Sequence, residues 1–297
     1  MNATAARLLV HVADAPAIER VLTDERSLVL GRDPSADVVV PHASVSRRHA
    51  RLLRDADGAW SIQDLASKNG VRLDGQRVVD APLAGHAWFA IGDVFCEFVA
   101  LDAAGAARLA ERARERRHSS AAFSQQLSLA HGIEALLDHT LQGMVALAEC
   151  RRGFILVGDA RGGMRLRAWH ALDPDELARP AFSGSRSAVE RVLREQRPVY
   201  LSDQRDQAWL RAQASVVAQG IRALASLPLL HHGRLLGVAY VDTDEAAKLF
   251  TALDAELLDA FAERAAAALA LARIEDDIAR IETRAAGDAP LFPAAYP

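Results

Sequence analysis

The sequence predicts a two-domain protein: an all-β sandwich, then an α+β domain in which helices flank one antiparallel sheet. Three observations carry this. Residues 7–101 alternate apolar and polar with a period near two, and turn signals punctuate them at short intervals. An Ala-, Arg- and Glu-rich stretch follows, rich in helix formers and poor in residues to bury. Beyond it, apolar stripes at helical spacing and apolar strand pairs are mixed in one segment. The expected divisions are 1–101 for the sandwich, 102–125 for a helical linker, 126–275 for the α+β domain, and 276–297 for a helix end and disordered tail.

In the sandwich, Leu8-Leu9-Val10, Val38-Val39-Val40, His49-Ala50-Arg51-Leu52-Leu53 and Trp60-Ser61-Ile62 read as strands. Asp33-Pro34, Asp57-Gly58, Asn69-Gly70, Asp74-Gly75 and Gly92-Asp93 read as the turns between them. The linker from Ala103 reads as a solvated helix, its Arg residues diluted by Glu111 and Glu115. In the second domain Ile133, Leu136, Leu137, Leu141, Met144, Val145 and Ala148 form one helical stripe. Phe154–Val157 and Met164–Trp169 read as a hairpin turned at Gly162-Gly163. Ser187 with Glu190 looks like a capping box opening a helix that ends before Pro198. A polar loop and another helix follow Ser202. A second hairpin pairs Ala225–Leu230 with Leu235–Val241 across His232-Gly233. Thr251 and Asp254 cap a long last helix, along which Leu271, Ile274, Ile278 and Ile281 form a short coiled-coil seam, interrupted further back by Arg264.

Bulk properties narrow the function. With 297 residues, a net charge of −4 and 51% apolar residues, the chain can bury two cores and has no general attraction to nucleic acid or anionic membrane. No secretory leader or membrane-length apolar run is apparent, so a cytoplasmic protein is expected. Cys96 and Cys150 fall one to each domain, which suits buried reduced thiols. Nucleotide-loop, kinase, hydrolase and metalloprotease motifs are absent, so neither an enzyme, a metal site nor a cofactor is expected.

One group of residues does suit a specific chemistry. Gly31-Arg32 closes a strand, Ser46-Arg47-Arg48-His49 follows an intervening turn, and Ser67-Lys68-Asn69-Gly70 occupies a later loop. A phosphorylated side chain carries about 1.5 to 2 negative charges and three acceptor oxygens, which a guanidinium fork and hydroxyl donors match. Arg48 is not counted among these donors, because neighbours in an extended segment point to opposite sides.

The order of these elements resembles the forkhead-associated (FHA) domain. The resemblance implies that Arg32 grips the phosphate, Ser46 donates its hydroxyl and Arg47 adds charge. It implies that Asn69 holds the bound peptide's backbone, while Gly31, His49 and Gly70 shape the site. Lys68 departs from the hydroxyl residue common in the family. The implied ligand is a phosphothreonine-containing protein, preferred over phosphoserine because a small pocket accepts the threonine methyl.

Residues 133–274 resemble a GAF domain, a small-molecule sensor and dimerisation module. Ser187–Pro198, the Gly220–Leu229 segment with Leu-Leu-Gly-Val-Ala-Tyr-Val-Asp after it, and Phe250–Asp254 carry the likeness. Trp169, His170, Asp203 and Trp209 are candidates to face its cavity. The cyclic-nucleotide signature is incomplete: Phe250 and Asp254 have the spacing, but no Glu follows Asp254 and the upstream Asn-Lys pair is missing.

Together the expectation is a cytoplasmic signalling adaptor that binds phosphothreonine partners and forms a parallel homodimer, with an unknown small molecule as a further ligand. The alternative is a small-molecule sensor whose sandwich docks independently of phosphate. The pair commonly precedes an output module, which here is expected to reside in a partner.

Overall fold

The computed structural model describes residues 5–12, 15–129, 132–159, 163–173, 186–202, 221–245 and 248–287. The N-terminal region is a sandwich of two sheets. The first has the order β2-β1-β11-β10-β7-β8, from β1 (Ala5–His11), β2 (Ile18–Leu22), β7 (Val71–Leu73), β8 (Gln76–Val78), β10 (His86–Ile91) and β11 (Val94–Leu101). The second runs β4-β3-β5-β6-β9, from β3 (Ser27–Gly31), β4 (Val38–Val39), β5 (Ala50–Arg54), β6 (Trp60–Asp64) and β9 (Asp80–Leu83). Alternation along each strand turns Leu8, Val10, Leu30, Leu52, Ile62, Phe89, Ile91 and Phe98 into one shared core. The loops after β3, before β5, between β6 and β7, and between β10 and β11 all emerge at one end.

Helix α1 (Ala103–Leu129) is continuous. Its first half is mostly exposed, as expected for a linker, but Phe123 and Leu127 pack into the core of the second domain. That domain has an antiparallel sheet ordered β13-β12-β16-β15-β14, from β12 (Arg152–Gly158), β13 (Met164–His170), β14 (Val199–Ser202), β15 (Ala223–His231) and β16 (Arg234–Thr243). Helix α2 (Ile133–Ala148), helix α4 (Ala252–Gly287) and the end of α1 bury one face of it, with Leu137, Leu141, Met144, Ile155, Leu227, Val241 and Phe261 at the centre. On the other face Phe154, Val192, Leu224, Val238 and Tyr240 pack beneath α3 (Arg186–Glu195).

The capping of α4 follows the sequence: Thr251 N and Oγ1 donate to Asp254 Oδ2 at 2.6 and 2.7 Å. The residues just before Arg186 lie outside the described ones, and within the described part of α3 Glu190 accepts a hydrogen bond from Arg186 at 3.2 Å. Gly162 and the helix expected after Ser202 lie outside the described residues.

The domains also meet away from the linker. Ala17 N donates to the Phe250 carbonyl at 2.9 Å, and Ala252 N donates to the Ala17 carbonyl at 2.8 Å. Beside this bridge, Arg116 of α1 donates to Asp254 Oδ1 at 2.7 Å and to the Leu147 carbonyl at 2.5 Å, and Lys248 Nζ stands 3.3 Å from the same carboxylate. Burial alone would raise the Asp254 pKa, but Lys248, Arg116 and the Thr251 hydrogen bonds outweigh it and hold the group below the usual carboxylate range. Among the described residues no helix is long and apolar enough to cross a membrane.

Candidate functional site

Gly31 ends β3 where the chain turns against Arg47, so closely that a Cβ there would lie 2.0 Å from the Arg47 carbonyl oxygen. That contact lets the two loops exchange backbone hydrogen bonds, Arg32 N to the Ser46 carbonyl at 2.9 Å and Asp33 N to the Arg47 carbonyl at 3.1 Å. The Arg32 side chain is exposed, and its Nε donates to the Val45 carbonyl at 3.2 Å. This bond anchors the guanidinium and leaves its two terminal nitrogens for a ligand. Among the described residues neither Asp33 nor Asp37 forms an ion pair with it within 4.0 Å. Asp37 accepts from Val29 N, and Asp33 Oδ1 accepts from the backbone and hydroxyl of Ser35. Those Ser35 hydrogen bonds, helped by Arg47 and Arg32, lower the Asp33 pKa.

Ser46 is half-buried, and its Oγ accepts a hydrogen bond from Lys68 N at 3.0 Å. The bond fixes the oxygen while leaving the hydroxyl proton free to be donated. His49 is fully buried beneath the loops. Its Nδ1 accepts from Ser46 N and its Nε2 donates to the Gly70 carbonyl, each at 3.0 Å. Acceptance at Nδ1 requires the neutral ring. Burial correspondingly pushes the His49 pKa down, against the smaller opposing pull of the Gly70 carbonyl and Asp64.

The third loop is held by Ser67, Asn69 and a residue that the sequence did not single out, Ser44. Ser67 Oγ accepts from Gly70 N at 2.9 Å, and Gly70 adopts φ 75°, a left-handed value that suits glycine. Asn69 is exposed, and its Nδ2 donates to the Ser44 carbonyl at 2.7 Å, while Ser44 Oγ accepts from Asp93 N at 2.8 Å. Ser44 thus ties three loops together. Besides neighbouring His42, its partners Asn69 and Asp93 are remote in sequence, so no local motif could have revealed this role.

Arg32, Ser46, Arg47 and Lys68 line one open cleft of about 740 Å³, and Asn69 stands beside it, outside the lining. Arg48 lines it too. Residues 46–48 belong to no strand, so strand alternation does not govern them.

The second domain offers a different picture. On the face beneath α3, Phe154 and Tyr240 stack at 4.7 Å. Next to them Asp242 is fully buried and accepts from Arg152 Nε at 2.7 Å. Burial raises the Asp242 pKa, with Arg152 acting against it. Asp242 Oδ2 and Ser226 Oγ have no hydrogen-bond partner among the described residues. Trp169 and His170 are exposed on the edge strand β13 rather than enclosed, and Asp203 and Trp209 lie outside the described residues. Cys96 and Cys150 are buried free thiols.

Comparison with known proteins locates two families in this order. The FHA domain family model matches residues 28–91, and a GAF domain family model matches residues 130–270. FHA domain-containing protein FhaB of Mycobacterium tuberculosis is 36% identical over 78 residues, 26% of this chain and 49% of that protein. The chain therefore spans about half the length of the curated relatives it matches. Among solved structures, an FHA domain from Chlamydia trachomatis is 30% identical, with 32% of this chain and 96% of that one covered at a TM-score of 0.30. The GAF domain of an Acinetobacter phosphoenolpyruvate-protein phosphotransferase is 14% identical, with 54% and 95% covered at a TM-score of 0.43.

Proposed function

Since the chain carries an FHA domain followed by a GAF domain, we propose that it is a non-catalytic, cytoplasmic signalling adaptor that docks on phosphothreonine-bearing proteins. The observation that carries this reading is the state of the donors in the sandwich cleft. Arg32 is anchored at Nε with its terminal nitrogens free, and Ser46 is anchored through its oxygen with its proton free. Such an arrangement is built before any ligand arrives, which limits the ordering cost of binding. Asn69 takes the peptide backbone through the part of its amide not committed to Ser44.

The GAF domain supplies dimerisation in this reading. Helix α4 has 36 residues, and Leu271, Ile274, Ile278 and Ile281 on it are 50–66% exposed. A stripe of that kind, with a coiled-coil spacing, is covered by a second copy of the same helix. The buried polar atoms of Ser226 and Asp242 support a small-molecule ligand on the other face of the sheet.

A pulldown from matched phosphorylated and unphosphorylated peptide libraries, with wild type and Arg32→Ala as baits, tests the docking role. Enrichment of phosphothreonine peptides by wild type alone is expected. Equal recovery of both libraries would instead favour a phospho-independent docking surface.

A further inference from the structure

The cleft holds more positive charge than one phosphate uses. Arg32, Arg47, Arg48 and Lys68 line it against a single carboxylate, Asp33, whose hydrogen bonds go to Ser35 and which offsets one of the four positive charges at most. None of the four cations makes an ion pair within 4.0 Å among the described residues, although Arg residues elsewhere on the surface are repeatedly paired, as in Arg114–Glu111, Arg151–Asp244 and Arg165–Asp159. The chain as a whole carries a net charge of −4, so this concentration runs against its overall balance. A phosphothreonine brings about 1.5 to 2 negative charges, which leaves the cleft positive after it binds.

Position divides the work among the cations. Arg32 and Arg47 are the pair whose fields reach Asp33, and they flank Ser46. Lys68 stands one residue from Asn69, and its amide holds the Ser46 hydroxyl oxygen at 3.0 Å. Lys68 therefore sits on the loop between the hydroxyl donor and the residue assigned to the peptide backbone, lining the cleft. Arg48 lines the same cleft from the opposite loop.

Resting on the phosphothreonine reading above, we infer that Lys68 and Arg48 select partners bearing an additional acidic group, a carboxylate or a second phosphate, within a few residues of the phosphothreonine. The two are specificity-determining residues rather than the main phosphate grip. Both act across solvent, so the selection is modest and depends on ionic strength.

The test is fluorescence anisotropy on the full chain at low salt with four synthetic peptides. These carry phosphothreonine flanked by Ala, phosphothreonine flanked by Asp, phosphothreonine with a second phosphothreonine nearby, and unphosphorylated threonine flanked by Asp. The Asp-flanked phosphopeptide is expected to bind about fivefold tighter than its Ala-flanked counterpart, the scale of one or two exposed ion pairs. In the Lys68→Ala, Arg48→Ala double variant that ratio should fall toward one. A gain from both acidic arms identifies a general acidic flank, and a gain from the second phosphate alone identifies a doubly phosphorylated partner. Equal binding of all three phosphopeptides, or a ratio unchanged in the double variant, overturns the inference while leaving phosphothreonine docking intact. Binding of the unphosphorylated peptide as tightly as the Ala-flanked phosphopeptide would overturn the docking reading itself.

Discussion

In the sandwich, the polar residues that matter stand on loops: Arg32, Arg47, Lys68 and Asn69 are exposed, on a scaffold braced by buried His49 and Ser67. In the α+β domain the comparable groups, Ser226, Asp242 and Tyr240, are buried within the sheet, covered by a helix. Exposed loop residues on a rigid frame announce a ligand through their chemistry, because packing has no use for them. Buried polar residues carry a double meaning, structural or functional, and their ligand chemistry is correspondingly harder to read.

Removing Phe261, which is fully buried where α4 meets α2, should have the largest effect on stability. Phe261→Ala should cost about 3–5 kcal/mol, seen in chemical denaturation of the second domain. Phosphopeptide affinity should survive under conditions where that domain remains folded. A parallel loss of affinity would show that the cleft depends on the second domain through the Ala17 and Arg116 contacts.

Arg32→Ala should weaken phosphopeptide binding by about one to two orders of magnitude, the scale of one charge-assisted hydrogen bond, as read by calorimetry. Its melting temperature should stay nearly constant, since the side chain is exposed. Ser46→Ala should cost less affinity and some stability as well, about 1 kcal/mol, because Lys68 N loses its acceptor.

His49 gives the comparison a pH axis. Its pKa is lowered in the folded state, so the unfolded chain binds more protons below the ordinary imidazole value. The stability it contributes is present above about pH 6.5 and declines as pH falls below that toward the lowered folded value. The difference in melting temperature between wild type and His49→Gln should therefore narrow from about pH 7 to about pH 5. A gap that widened on acidification would reverse the assigned protonation state. The smallest expected effect is none: cyclic AMP and cyclic GMP should leave the melting temperature unchanged, and a saturable rise with either would show the incomplete signature to be sufficient.

Much of the fold was legible because local rules govern it. Period-two alternation marks the strands of the sandwich, and the Thr251–Asp254 box marks the start of α4. The cleft was legible for the same reason, since Gly31-Arg32, Ser46 to His49 and Lys68 to Gly70 are short local elements. What remained hidden depends on partners far away in the chain. Ser44 acts through its carbonyl on Asn69 and through its hydroxyl on Asp93. The linker looked solvated because its first half is, while Phe123 and Leu127 find their partners in the second domain. Ala17 carries no chemical signal at all, yet its backbone bridges the domains at Thr251.

The central claim, that the sandwich cleft reads a phosphate on a threonine, is tested most directly by calorimetry of the intact chain with one peptide in three forms. Phosphothreonine should bind tightest, phosphoserine more weakly, and unphosphorylated threonine with no measurable heat. Equal affinity for the phosphorylated and unphosphorylated threonine peptides would contradict the account.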